Sequence, residues 1–127
     1  MATLLDDISG LLTAETVKYI GYFPDNSVNN IVTIYGTGGE LPIHYFGNQK
    51  AALRKPSFQI RVRDISYANG YSRCQAIISA LDGLSNTSIS NGTIVGIYMD
   101  SDILDIGKDS KLRSEFVINF STVIAFS

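Results

Sequence analysis

The sequence predicts an α+β domain: a mainly antiparallel sheet with two helices packed on one face. Three observations carry this reading. Apolar residues recur at helical spacing near the start of the chain and again from residue 67 onward. A segment after Pro56 alternates apolar and polar residues with the period of two that a strand imposes. The last stretch is apolar in both of its alternating sets. In chain order this gives helix, strands, loop, strand, helix, strands, all within one domain spanning residues 1–127.

Leu4, Leu5, Ile8, Leu11 and Leu12 predict a first helix from about Thr3 to Thr13, with Thr3 as its N-cap and Asp6 and Asp7 in the turn where the helix dipole favours them. Val17 to Pro24 and Asn30 to Gly36 read as a β-hairpin or as neighbouring strands, separated by the turn-forming run Pro24-Asp25-Asn26-Ser27. From Gly36 to Lys55 periodicity is lost among Gly36, Gly38, Gly39, Pro42 and Gly47, which predicts a long irregular connection. Phe58, Ile60 and Val62 then alternate with Gln59, Arg61 and Arg63, a strand whose cationic face must meet solvent or a partner.

Tyr67, Tyr71, Cys74, Ile77, Ile78 and Leu81 predict a second helix over about Tyr67 to Asp82, capped by Ser66 or Asp64 and stopped at Gly83. Strands follow at Thr93 to Asp100 and at about Arg113 to Ala125, with a turn-rich segment from Ser101 to Asp109 between them. The final strand carries Phe116, Ile118, Phe120, Thr122 and Ile124 on one face and Val117, Val123 and Ala125 on the other. It is therefore expected in the middle of the sheet or beneath a neighbouring subunit.

Composition narrows the function. Apolar residues make up 45% of the chain and charged ones only 17%, which leaves much of the surface to Ser, Thr, Asn, Gly and Tyr, a surface suited to polar protein contacts. A formal net charge of -2 argues against sequence-specific nucleic acid as a partner, because neutralising several phosphates needs surplus Lys and Arg. Cys74 is the single cysteine, so no intrachain disulfide is expected; it reads as a small buried hydrophobe in a reducing compartment. No secretory leader or membrane span is expected, since acidic residues stand near the N-terminus and the longest apolar runs are short.

No constellation points to catalysis, and no cofactor or metal is expected. His44 is the one histidine, between Ile43 and Tyr45, and no Gly-x-Ser-x-Gly elbow accompanies it, so it reads as a loop residue rather than a general base. Gly36-Thr37-Gly38-Gly39 follows a predicted strand as a phosphate loop would, but Glu40-Leu41-Pro42 comes next, which makes a turn-forming loop the better reading. Asp100, Asp102 and Asp105 suggest a cation loop until Leu104, Ile106 and Lys111 fall where further ligands belong. Arg54, Lys55, Arg61 and Arg63 form a cationic group, with Arg61 and Arg63 on one strand face. They read either as an ordinary solvated face or, with His44 and Tyr45, as an assembly interface that pairs with acidic groups of a neighbour.

The block Pro56-Ser57-Phe58-Gln59-Ile60-Arg61-Val62-Arg63-Asp64-Ile65-Ser66-Tyr67, followed by a helix ending Leu81-Asp82-Gly83-Leu84, resembles the phage minor capsid or tail-terminator family. Asp105-Ile106-Gly107-Lys108-Asp109 with Arg113, then Phe116 to Phe120 including Asn119, is similar to that family's turn and final strand. The resemblance implies a homohexameric ring at the head-proximal end of a phage tail, stacked on the tail-tube protein and receiving a head-completion or connector protein. It implies a virion component assembled in the host cytoplasm, structural rather than enzymatic. The alternatives are another neck component, such as a connector or stopper, and a small ligand-binding or hydrolase domain built around His44.

Overall fold

The computed structural model describes residues 4–12, 18–21, 30–43, 53–89, 92–109 and 111–126. Its elements run α1 (Leu4–Leu11), β1 (Lys18–Ile20), β2 (Ile31–Ile43), β3 (Leu53–Asp64), α2 (Tyr67–Leu81), β4 (Ser85–Ile89), β5 (Gly92–Met99), β6 (Leu104–Lys108) and β7 (Ser114–Phe126). The sheet follows the order β1-β2-β3-β7-β5-β4, and β6 also pairs with β7. The fold is α+β, as expected.

One pairing makes the sheet mixed. β1 and β2 are neighbours but run parallel, in register Lys18↔Val32 to Ile20↔Ile34, so the two segments form no hairpin; every other pairing is antiparallel. The predicted turn at Pro24 to Ser27 and the Thr3 cap lie outside the described residues.

The irregular connection expected from Gly36 to Lys55 is strand at both ends: β2 continues to Ile43 and β3 begins at Leu53. Its glycines misled because they make a bulge instead of a loop. The β2–β3 register shifts between Gly36 and Gly38, where Gly38 holds φ +90, a backbone conformation that glycine adopts without a Cβ clash. Pro56 sits opposite Gly39 within this irregular stretch; a proline cannot donate to the ladder, and its carbonyl instead accepts the Thr122 hydroxyl at 2.7 Å.

β7 lies mid-sheet, as its two apolar faces require. One edge pairs with β3 from Ser114 to Ala125, and the other is shared, β6 taking Ser114 to Val117 and β5 taking Phe120 to Phe126. β4 and β6 were not anticipated. Both are short, and their Ser, Asn, Asp and Gly residues have the composition of turns, so only the partner strand makes them extended.

The core joins both helices to the inward side chains of the sheet. Ile8 from α1 and Leu12 just after it, and Cys74, Ile77 and Leu81 from α2, cluster with Val32, Ile34, Phe58, Ile60, Val62, Ile94, Ile97, Phe116, Ile118, Phe120 and Ile124. Phe58 and Phe120 stack with ring centroids 5.1 Å apart across β3 and β7, a cross-strand pair that adds to the burial of both rings. Cys74 is buried and unbridged. The carbonyls at the end of α1 receive the Lys18 ammonium, which lies 2.9 Å from Ser9 O and 3.2 Å from Leu12 O, a cation where the helix dipole is negative.

α2 starts and stops where the sequence places it. The Ser66 hydroxyl accepts the Asn69 N–H at 3.4 Å, the Asp64 carboxylate accepts the Ser66 N–H at 2.9 Å, and Gly83 follows the helix with φ +79. Its buried stripe is Gly70, Cys74, Ile77 and Leu81. Tyr67 and Tyr71, expected on that stripe, are instead among the exposed apolar side chains.

Candidate assembly interface

β3 supplies two kinds of surface because its residues alternate. Phe58, Ile60 and Val62 go to the core, and Lys55, Ser57, Gln59, Arg61 and Arg63 share the outer face. Arg54 falls on the opposite face from Lys55 and is exposed. The structure therefore brings Lys55, Arg61 and Arg63 to one face and separates Arg54 from them; His44 and Tyr45 lie outside the described residues.

Along that outer face the polar side chains pair with one another across strands. The register aligns Tyr35, Gln59 and Asn119 in one row and Thr33, Arg61 and Val117 in the next. Gln59 Nε2 donates to Asn119 Oδ1 at 3.0 Å, Arg61 Nε donates to Gln59 Oε1 at 3.0 Å, and the Arg61 guanidinium lies 5.3 Å from the Tyr35 ring centroid. Ser57 and Ser121 meet at 3.4 Å, and the Ser121 hydroxyl donates to both oxygens of Asp100, at 2.7 and 2.9 Å. Burial lifts the Tyr35 phenol above its ordinary range, against the pull of Arg61's charge. These bonds hold the polar side chains of the outer face in fixed positions across three strands.

Arg63 corrects the simplest form of the sequence reading. Placed by alternation on the face that meets solvent or a partner, it is only 1% exposed. It stands in a central strand between Ile31 of β2 and Glu115 of β7. Burial raises the Glu115 carboxyl, as does the charge of Asp109, while Arg63, Arg61 and Arg113 pull it the other way. Alternation identifies the face but is blind to what covers it.

The Ser114 end of the sheet has a second character, and sequence reasoning missed it. Tyr67 and Tyr71 stack at 6.5 Å over the buried Phe116, their centroids 5.2 and 6.2 Å from its ring. The Tyr67 phenol is raised by desolvation and then by Asp105, to which it hydrogen-bonds. Ile65, Leu104, Ile106 and Leu112 are exposed at the same end. The i, i+4 spacing of the two tyrosines located them on one helix face, and Gly70 between them lets Phe116 and Asp64 come close to the helix backbone.

The Asp100, Asp102 and Asp105 run resolves into separate local bonds rather than one cage. Asp100 takes the Ser121 hydroxyl, Asp102 accepts the Ile103 N–H at 2.7 Å, and Asp105 accepts the Gly107 N–H at 2.8 Å. Among the described residues no three His, Cys, Asp or Glu side chains gather as a metal site, and no helix is long and apolar enough to cross a membrane. Gly36 to Gly39, read as a turn-forming loop, is the bulged part of β2.

Comparison with known proteins adds to this geometry. A family model described as bacteriophage tail terminator protein matches residues 4–126. Ten chains of solved structures match the fold. One of them, from a structure described as the virion of a native gene transfer agent (GTA) particle, aligns with a TM-score of 0.70, covering 96% of this chain and 94% of that chain. The two sequences are 17% identical, so the likeness is one of fold. No curated protein sequence matches the chain.

Proposed function

The chain belongs to the bacteriophage tail terminator family, a family of phage structural proteins, and from that premise we propose that it forms a ring at the head-proximal end of the tail. There it ends growth of the tail tube and provides the surface that joins the head. The observation that carries this is the family match over residues 4–126, nearly the whole chain.

In this reading the chain acts as a single domain, its two helices cover one face of the sheet, and the other face and the sheet edges serve assembly. The ring is a homohexamer, its partners are the tail-tube protein and a head-completion or connector protein, and it works in the virion without catalysing a reaction. Arg54, Lys55, Arg61, Arg63, His44 and Tyr45 belong to the assembly surface, Arg63 from its buried place in the central strand β3. A standard interface covers about 800 Å² per partner, so two ring neighbours take about 1,600 Å² of a chain exposing 7045 Å². Head-to-tail contacts of this kind close into rings and use up strand edges that would otherwise invite aggregation.

Electron microscopy of particles made without this gene tests the function. Overlong, headless tails beside filled heads are expected. Tails of normal length with leaking heads would reassign the chain as a stopper or connector, and intact infectious virions would end the structural reading.

A further inference from the structure

Tyr67 and Tyr71 are exposed on the helix-bearing face at the Ser114 end of the sheet, with Ile65 and Leu112 exposed at the same end, while Leu104, in register with Val117, stands on the opposite face. Exposed apolar side chains scattered singly need no explanation, but two exposed tyrosines stacked on each other at one end of a small domain mark a contact surface. Tyrosine is also one of the residue types enriched among the few side chains that dominate binding energy in interfaces. The patch is held rigid. Tyr67 is tied to Asp105, and Leu112, 69% exposed at φ +60, tops a turn closed by Asp109 and Arg113. A preordered surface loses little side-chain freedom on binding.

Its charge points to the occupant. Asp105 is exposed and faces Tyr67, so the aromatic patch carries a carboxylate at its edge. The complementary surface is on the same chain but out of its own reach. Arg54 lies opposite Ile124 on β7, whereas Asp105 lies opposite Phe116, which separates them by roughly 27 Å along the strands at about 3.4 Å per residue. Lys55 follows Arg54 on the other face of the same strand end, so both charges stand at the edge where β3 begins, and the chain already sets an arginine over a tyrosine where Arg61 covers Tyr35.

We propose that the Tyr67, Tyr71 and Asp105 patch of one copy receives the Arg54 and Lys55 segment of the next, making the head-to-tail contact of the ring. This rests on the ring reading above and deepens it by assigning the two halves of the contact. Cation–π and ionic attraction orient the approach, and the apolar side chains supply the buried area.

The test is complementation of a phage lacking the gene with plasmid-borne variants, read as infectious titre and tail length. Asp105→Arg alone and Arg54→Asp alone are each expected to lose titre and give overlong tails. Co-expressed, they are expected to restore titre, because alternating copies place the new arginine of one against the new aspartate of the next. Full titre with either variant alone overturns the assignment while leaving the ring reading intact. Failure of the pair together, when both purified variants melt like the wild type, overturns it as well. If Asp105→Arg lowers the melting temperature by releasing Tyr67, Asp105→Asn, which keeps an acceptor for the phenol, takes its place: Arg54→Asp is then expected to lose less titre beside Asp105→Asn in the same chain than beside the wild-type aspartate, and equal loss overturns the assignment. Infectious virions without the gene would instead remove the terminator reading, so the two failures are distinct.

Discussion

Arg113 and Asp109 close the turn that leads into β7, with Arg113 Nε and Nη2 each 2.7 Å from Asp109 Oδ2. The other carboxylate oxygen accepts the backbone N–H groups of Lys111 and Arg113, each at 2.9 Å, and the Asp109 N–H donates to Arg113 O at 3.0 Å. Arg113 is fully buried, and the turn forces Leu112 into the left-handed region. One ion pair thus fixes both the start of the central strand and the outward pose of Leu112.

Removal of Asp109 leaves that buried guanidinium unpaired. Asp109→Ala is expected to cost about 3 kcal/mol, the usual result of breaking one side of a buried pair, measurable by urea titration. Burial raises the Asp109 carboxyl, but the hydrogen bonds from Arg113 and Lys111 and the Arg113 charge outweigh it and hold the pKa at about 2, below the ordinary 3.8. Because the folded value is depressed, this stabilisation is complete above the ordinary value and is lost as pH falls through about 2. The wild type is expected to lose stability across that acid window, and Asp109→Ala to lose less there; parallel acid curves for the two would refute the pairing.

Two glycines test packing against each other. A Cβ at Gly70 would stand 2.6 Å from Phe116 Cε2 and 3.0 Å from Asp64 Cβ, both in buried residues. Gly70→Ala is therefore expected to destabilise by about 2 kcal/mol despite alanine's better helix propensity. A Cβ at Gly96 would meet the Tyr98 ring, but Tyr98 is 54% exposed and can swing into solvent. Gly96→Ala is expected to cost less than Gly70→Ala in thermal melts, and the reverse order would contradict the placement of Phe116.

Arg61 and Arg63 separate assembly from folding. Arg63→Ala truncates a long side chain that is 1% exposed in a central strand and is expected to cost about 3 kcal/mol of stability through the cavity left behind. Arg61→Ala breaks a half-buried contact with Gln59 and Tyr35 and is expected to stay within about 1 kcal/mol of wild type. Its effect should emerge in salt-dependent binding to tail tubes. A salt dependence unchanged in Arg61→Ala would take that residue off the assembly surface.

Glu115 offers a measurement of opposite sign. Its raised carboxyl means that the folded state binds the proton more tightly than the unfolded one, so the charged form costs stability at neutral pH. Glu115→Gln is expected to melt higher than wild type at pH 7, with the gain shrinking as pH falls toward the ordinary glutamate value of 4.5. A lower melting temperature at pH 7 would show that attraction to the nearby arginines outweighs the burial penalty.

Local periodicity by itself determined much of this protein. Ser66, Gly83 and the apolar spacing between them bounded α2, the alternation from Phe58 to Arg63 assigned the two faces of β3, and the two apolar faces of the last strand put β7 in the sheet interior. These features are short-range, so neighbouring residues suffice to encode them. Only the tertiary structure decided that β1 runs parallel to β2, that the glycine run of residues 36–39 is a bulged strand, and that β4 and β6 are strands at all. It also decided that Arg63 is buried while Tyr67 and Tyr71 stand out. Strand direction, edge pairing and the cover over a face depend on residues distant in sequence. The proposed interface divides the same way: alternation found the Arg61 face, whereas the aromatic patch exists only because α2, β6 and β7 converge at one end of the sheet.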